Sequence, residues 1–402
     1  MNRRQYLTRT AGVSLGLSVF SSIGSAHSEE PNDPEYTQRR AWHQEAVGME
    51  QYYAHYGYNT NVTVGIVGRG IDCEDAELDD NYVGGYDLKD NDTSPCHEGD
   101  KMTHEDKVAL TLTAETNNNE HASGMVNTPF RAYRSWSSDM VETIHRAIDD
   151  GCDILSISRY HQYESQELRD AIDRAVSEDV LILMSSGNNG SKKPEYWQYP
   201  AVYNECLSVG AVQPFLGDPE DLRVAGYSNY GEAVDLVAPG VGLLIESGDD
   251  THMNFGGTSG SCPVAAGVAA AVQEATGLKG QNLKQRLLST AQDIGEPEAK
   301  QGAGMVDAAE ACGLHETEDD GTNNSQTMQT IVIEGTGPAA QYNLSVSGSL
   351  EKSTTEVANI NTNDTIDGST ASGEVGLAAD AYRFDGAVES LEVDGHARVY
   401  FQ

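Results

Sequence analysis

From about Asp33 to Gly313 the chain alternates short β-branched runs with amphipathic stretches, a pattern that predicts a mainly parallel sheet with helices on both faces. Asn61 to Val67 reads as the first strand. Val141 to Asp150 reads as a helix, Cys152 to Ser158 as a strand and Glu167 to Glu178 as a second helix. Val180 to Met184 is fully apolar, as a strand covered on both faces should be, and Leu207 to Val212 and Val234 to Gly240 add two more. Val264 to Val272 is a run of small apolar residues too uniform for a surface helix, so it predicts a buried one, entered from the glycine-rich turn Gly256-Gly257.

Beyond position 313 the pattern changes. Residues 314–329 are acidic and polar and read as a linker. Thr330 to Ile333, Tyr342 to Val346, Tyr382 to Phe384, Leu391 to Val393 and Arg398 to Phe401 then alternate in and out between Gly, Asn and Asp turns, which predicts a small all-β domain over 330–402, sandwich-like. No catalytic cluster falls within it, and a stabilising module is its simplest reading.

The 402 residues suffice for one large domain and one small one. The 63 acidic and 25 basic residues leave a net charge of −38, dispersed along the chain, which argues against nucleic acid or anionic membranes as partners. Such acidity suits a protein kept soluble in concentrated salt, where repulsion is screened within a few ångströms. Asn2-Arg3-Arg4-Gln5-Tyr6-Leu7, the apolar run Ala11 to Ile23 and Gly24-Ser25-Ala26 form a twin-arginine export signal over 1–26, too short and too rich in Ser and Gly for a membrane anchor. Residues 27–32 form a short segment before the domain. The expected product is a secreted monomer. Six cysteines without a CxxC pair make zinc improbable; Cys73 and Cys96 bracket one loop and are the best candidates for a disulfide, while Cys262 reads as a buried thiol.

In open α/β sheets ligands bind beyond the carboxyl ends of strands, so the loops at Gly68, Ser158, Asn188 and Ser259 should converge. The stretch Gly257-Thr258-Ser259-Gly260-Ser261-Cys262-Pro263 sets a serine at a helix start, where unpaired N–H groups favour developing negative charge; simple capping is the bland alternative. Gly257 to Gly267 resembles the G-T-S-M-A-[SC]-P-H-V-A-G motif of the subtilisin-like serine proteases, especially the halolysin and thermitase branch. Ser186 to Gly190 resembles their A-G-N-x-G loop. Tyr227 to Gly231, Val237 to Gly240 and Gly302 to Asp307 add supporting matches in the right order, and together they cover about seven-tenths of the chain. The resemblance implies Ser259 as nucleophile, Asn188 as oxyanion-hole amide and His104, in His104-Glu105-Asp106-Lys107, as base.

Several departures accompany it. The family's V-[IV]-D-[TS]-G-[IV] segment, which carries the triad aspartate, is here Ile66-Val67-Gly68-Arg69-Gly70-Ile71, with glycine at the aspartate's place. The H-G-T-H-V-A-G segment has charged residues beside its histidine. Loss of the triad carboxylate in a subtilisin costs about 3 × 10⁴ in turnover, near 6 kcal/mol. Asp72, past the strand's end, and Asp106, two residues from His104 on a segment the resemblance makes helical, are poorly placed to replace it. Restoring aspartate at Gly68 is then expected to raise activity. Ser158-Arg159-Tyr160-His161 stands where the family has S-L-G-G, so Ser158, Arg159 and Tyr160 line a substrate edge made bulky, and Arg134 to Asp139 is a shortened form of the opposite edge. Family members usually carry an inhibitory pro-region where only His27 to Pro31 stand here. Two readings follow: a weakened endopeptidase acting on polypeptides, or an inactive pseudoprotease serving as an extracellular scaffold or protein-binding module. The resemblance also implies structural calcium, held by Asp87, Asp90 and Asp92 in a thermitase-like loop and, in a looser match, by Asp33 and Glu77.

Overall fold

The computed structural model describes residues 31–33, 41–97, 102–121, 123–159, 164–192, 199–215, 218–231, 234–247, 251–314, 329–335, 340–353, 364–375, 379–384, 388–394 and 397–401. The expected signal segment and nearly all of the expected linker lie outside these residues. The chain divides into two units, which meet in sequence at Glu316 and Thr317.

In the first unit, helices α1 (Trp42–Ala46) and α2 (Met49–Tyr56) precede strands β1 (Val64–Gly68) and β2 (Tyr82–Asp87). Helix α3 (His104–Thr113), β3 (Phe130–Arg134), α4 (Met140–Asp149), β4 (Ile154–Ile157), α5 (Gln166–Ser177) and β5 (Leu181–Ser185) follow, then β6 (Leu207–Phe215), β7 (Asp218–Val224), β8 (Leu236–Pro239) and the hairpin β9 (Leu243–Ser247) and β10 (Thr251–Phe255). The long α6 (Thr258–Thr276) and α7 (Gly280–Ser289) lie towards the end of the unit. The main sheet runs β2-β3-β1-β4-β5-β6, all parallel; β8 joins β6 in parallel and β7 joins it antiparallel. This is the anticipated architecture.

Burial on both faces explains the apolar strands. In β5, Leu181 and Leu183 enter the core cluster that holds α3 and α6, whereas Ile182 and Met184 enter the one that holds α4 and α5. Helix α6 is enclosed from Val264 to Val272, each residue fully buried, which is why its small apolar residues show no polar stripe. A disulfide joins Cys73 to Cys96, while Cys152, Cys206 and Cys262 are buried free thiols.

The second unit holds two four-stranded antiparallel sheets, ordered β13-β16-β11-β18 and β14-β15-β12-β17. Their strands are β11 (Gln329–Gly335), β12 (Ala340–Val346), β13 (Leu350–Ser353), β14 (Thr365–Asp367), β15 (Thr370–Val375), β16 (Ala379–Phe384), β17 (Val388–Asp394) and β18 (Ala397–Phe401). One cluster, including Ile331, Leu344, Ala371 and Tyr382, draws on both sheets, as in a sandwich.

Candidate active site

Ser259 occupies the first turn of α6. The turn before it is possible because Gly257 takes φ 86°, a left-handed conformation that favours glycine, and because Tyr227 braces it: Gly257 N–H donates to the Tyr227 hydroxyl (3.2 Å), which donates to Gly240 O (2.7 Å). Pro263 stands within α6 and has no N–H for the carbonyl four residues back, that of Ser259. The Ser158 hydroxyl donates to that carbonyl instead (3.0 Å), so this predicted substrate residue anchors the backbone of the candidate nucleophile.

Asn188 lies on the loop after β5. Its Oδ1 accepts from Thr258 N–H (2.9 Å) and from the Thr258 hydroxyl (3.0 Å), and that hydroxyl in turn accepts from Gly187 N–H (3.2 Å). The N–H partner fixes which end of the amide is oxygen. Among the described residues Nδ2 has no hydrogen-bond acceptor, and the exposed side chain is held against Thr258, the residue before Ser259. Asn229 stiffens the loop: its Nδ2 donates to Ser186 O (2.9 Å), and its Oδ1 accepts from Asn189 and Ser191 N–H.

His104 is the first residue of α3, and its ring meets that of Phe255, the residue that leads into the Gly256-Gly257 turn, edge-on at 5.6 Å. Thr103 caps the helix, its hydroxyl accepting from Asp106 N–H (3.2 Å) while the Asp106 carboxylate accepts from Thr103 N–H. Asp106 also takes Asp72 N–H (2.6 Å) and sits 2.9 Å from His97 Nε2. Both carboxylates weighed as replacements for the triad aspartate are thus accounted for: Asp106 is consumed by capping, and Asp72 turns to Glu74 N–H (3.0 Å). Ser259 Oγ makes no hydrogen bond among the described residues, a common state of nucleophiles without substrate.

The carboxylate beside His104 is that of Glu105. Its Oε1 lies 3.1 Å from His104 Nδ1, and its side chain is only 3% exposed against 41% for the histidine. A Cβ built on Gly68 would stand 1.9 Å from Glu105 Cγ, 2.3 Å from Cδ and 2.5 Å from Oε1. The room left by glycine on β1 is therefore filled by the carboxylate of the helix. A side chain at Gly68 therefore requires Glu105 to move, so restoring aspartate there, expected from sequence to raise activity, also displaces the carboxylate beside His104.

Arg159 faces the same carboxylate, with Nε 3.5 Å from Oε1, and its Nη1 donates to Ser135 O (2.8 Å). Its side chain is turned inward rather than across the substrate edge, and its burial lowers its own pKa despite the attraction of Glu105. Tyr160 lies outside the described residues. Burial pushes the Glu105 carboxyl up, but the hydrogen bond and charge of His104, then the charge of Arg159, hold it below the usual value; Arg69 N–H adds to this without a hydrogen bond of normal geometry, leaving Oε2 buried and unpaired.

The expected calcium residues fall into two groups. Asp87, Asp90 and Asp92 share the turn after β2, where Asp87 already binds Arg134 Nη1 (2.8 Å) and the Lys89 and Asp90 amides, while Asp92 accepts from Ser94 N–H. Asp33 and Glu77 both face the loop after α3: Asp33 accepts from the amides of Asn117 and Asn118, and Asn118 Nδ2 reaches Glu77 at 3.4 Å. Ligand atoms of Glu77, Glu120 and His121 lie within 4.8 Å of one another. Burial pushes the Glu77 carboxyl up to about 8, against Asn118 and with help from Glu115, Asp75 and Asp33, which marks an excess of negative charge. That excess suits a hard cation better than the Arg134-paired turn does.

Residues 59–306 match the family model described as Subtilase family. The chain belongs to that family. It is 31% identical over 292 residues to halolysin of Haloferax mediterranei, an alignment covering 70% of this chain and 54% of that protein. It is 30% identical to a thermophilic serine proteinase of Bacillus sp. strain AK1, covering 69% and 71%, and 31% identical to the halolysin-like extracellular serine protease Nep of Natrialba magadii, covering 70% and 52%. The chain thus spans about half the length of the two halolysin-type relatives. A protease of Pseudoalteromonas arctica superposes with a TM-score of 0.61 at 24% identity, covering 71% of this chain and 99% of that one, and shows the shared fold. No helix among the described residues is long and apolar enough to cross a membrane.

Proposed function

We propose that this subtilase is a secreted serine endopeptidase, with Ser259 as nucleophile, His104 as general base and Asn188 as oxyanion donor. Ser259 Oγ attacks the peptide carbonyl carbon as its proton passes to His104; the C–N bond breaks when the proton is returned to the amine, and water releases the acyl group by the same route. The observation that carries this reading is the locking of Asn188 Oδ1 by Thr258, which leaves Nδ2 as a preorganised donor one residue from the nucleophile. The net charge of −38 supports work in concentrated salt, and the N-terminal sequence pattern supports export through the twin-arginine route. Where calcium binds, Asp33 and Glu77, with Glu120 and His121, are the residues that would hold it, and its role is to neutralise their charge and stiffen the loop after α3.

The scaffold reading is favoured by glycine at position 68, where the family carries its triad aspartate. Labelling with a fluorophosphonate probe in molar salt, beside Ser259→Ala, decides between them. Covalent label on wild type alone is expected; equal background on both proteins means no working nucleophile.

A further inference from the structure

We infer that Glu105 is the third member of the catalytic group, supplying from helix α3 the positioning carboxylate that strand β1 lacks. The inference rests on the peptidase reading above and deepens it. Three independent observations converge on it. The first is contact: Oε1 lies 3.1 Å from His104 Nδ1, the ring nitrogen that a positioning carboxylate must engage. The second is space. The Glu105 side chain occupies the volume that a side chain at position 68 would need, with Cγ 1.9 Å from the virtual Cβ, so glycine there is a requirement of the arrangement and not merely a loss.

The third is environment. Glu105 is buried, faces the Arg159 guanidinium at 3.5 Å and has the Arg69 N–H acting on its carboxylate. The inward turn places one carboxylate between the half-exposed His104 ring and a fixed guanidinium. Arg159, in turn, is itself inward-facing and tied to Ser135 O, so it serves as a fixed counter-charge that keeps the carboxylate ionised.

The sequence pattern agrees. The subtilisin-like motifs place aspartate at position 68 and glycine directly after the base histidine; here Gly68 and Glu105 stand in those places, a reciprocal exchange of carboxylate and glycine. In the reaction Glu105 neither gives nor takes a proton. As an acceptor only, it holds the hydrogen on Nδ1, leaves the Nε2 lone pair to take the Ser259 proton, and stabilises the imidazolium until that proton passes to the leaving amine.

The test compares wild type with Glu105→Gln, Glu105→Ala, Glu105→Gly and the paired Gly68→Asp with Glu105→Gly, all in molar salt. Two readouts are used: turnover of a peptide ester, and the low-field proton resonance of an imidazole N–H bonded to a carboxylate. Expected are the resonance in wild type and its loss in Glu105→Ala, a kcat lower by about 10³–10⁴ in Glu105→Gln and Glu105→Ala with KM little changed, and recovery of at least about a hundredfold in the paired variant over Glu105→Gly. A kcat within about tenfold of wild type in Glu105→Gln, or no low-field resonance in wild type, overturns the inference. Glu105→Gln is nearly isosteric and decides the kinetic arm even where Glu105→Ala does not fold. Should wild type show the resonance yet neither turn over ester nor take the probe, the peptidase reading falls while the positioning contact stands.

Discussion

Replacing Gly68 by alanine adds one methyl group, and the sign of its effect reports what fills the space beside β1. Gly68 does not take a positive φ, so alanine suits its backbone. Were the space empty, the substitution would stabilise the protein by about 0.4–1 kcal/mol through the unfolded chain. The structure puts the new Cβ 1.9 Å from Glu105 Cγ, well inside contact distance, so either the packing yields or Glu105 is expelled. Overpacking costs about 1–3 kcal/mol, and subtracting the entropic gain of about 0.4–1 kcal/mol leaves a net loss between about zero and 2.6 kcal/mol, at most about 5–10 °C in Tm. Expulsion would spare stability but separate the carboxylate from His104, lowering the probe reaction by about three to four decades. Urea unfolding and fluorophosphonate labelling of the same samples cover both cases, and Glu105→Ala in the Gly68→Ala background should recover the lost stability as a coupling energy. A Gly68→Ala protein that is more stable than wild type and labels at the wild-type rate refutes the reasoning.

Three further outcomes are expected. Asn188→Asp keeps an acceptor for Thr258 but replaces the donor with negative charge, so kcat should drop by about 10²–10³ or more with the thermal midpoint nearly unmoved; unchanged turnover would remove Asn188 from the oxyanion site. Glu77 releases its proton near 4.5 when unfolded and near 8 when folded, so the folded state binds more protons in between and stability should fall as pH rises across that window in chelator. Calcium should flatten that slope, and identical slopes in thermal melts with calcium and with chelator would argue against a cation at Glu77. Reduction of the Cys73–Cys96 disulfide, which closes a loop of 23 residues, should cost about 3 kcal/mol in urea titrations with and without reductant, and no shift would show the loop to be held by other contacts.

The sheet was legible because burial on both faces leaves continuous apolar runs such as Leu181 to Met184, and the buried helix because Val264 to Val272 has no polar side. Strands β9 and β10, which deliver Phe255 to the His104 ring, were not read from sequence: an antiparallel pair outside the main sheet needs no long apolar run. Likewise β14, Thr365 to Asp367, is exposed throughout and carries no inward side. At the candidate site, the positions of Ser259, Asn188 and His104 stood out from motifs because glycine turns and a helix start surround them.

Glu105 was missed for a geometric reason. Adjacent helical residues point about 100° apart, so a neighbour of the base looks unable to serve it. At the helix start, however, Glu105 has the cleft beside Gly68 to enter, and its flexible stem returns Oε1 to Nδ1. The available signal was reciprocal: a carboxylate lost at one motif position and gained where the other motif has glycine. The Ser158 contact to Ser259 was not legible, since nothing in its own sequence shows that Pro263, over a hundred residues away, leaves the Ser259 carbonyl in need of a donor.

The capping box at Thr103 and Asp106 makes the first turn of α3 a stiff unit, and His104 and Glu105 are consecutive residues within it. Base and carboxylate therefore travel together. In the ordinary arrangement, with the carboxylate on a strand and the histidine on a helix, any slip between those two elements uncouples the pair. Here such a slip leaves their bond intact and transfers the whole mechanical risk to the seam between α3 and α6, where the base must meet Ser259. Loosening that seam, for instance at Phe255, should silence turnover while the imidazole remains correctly held.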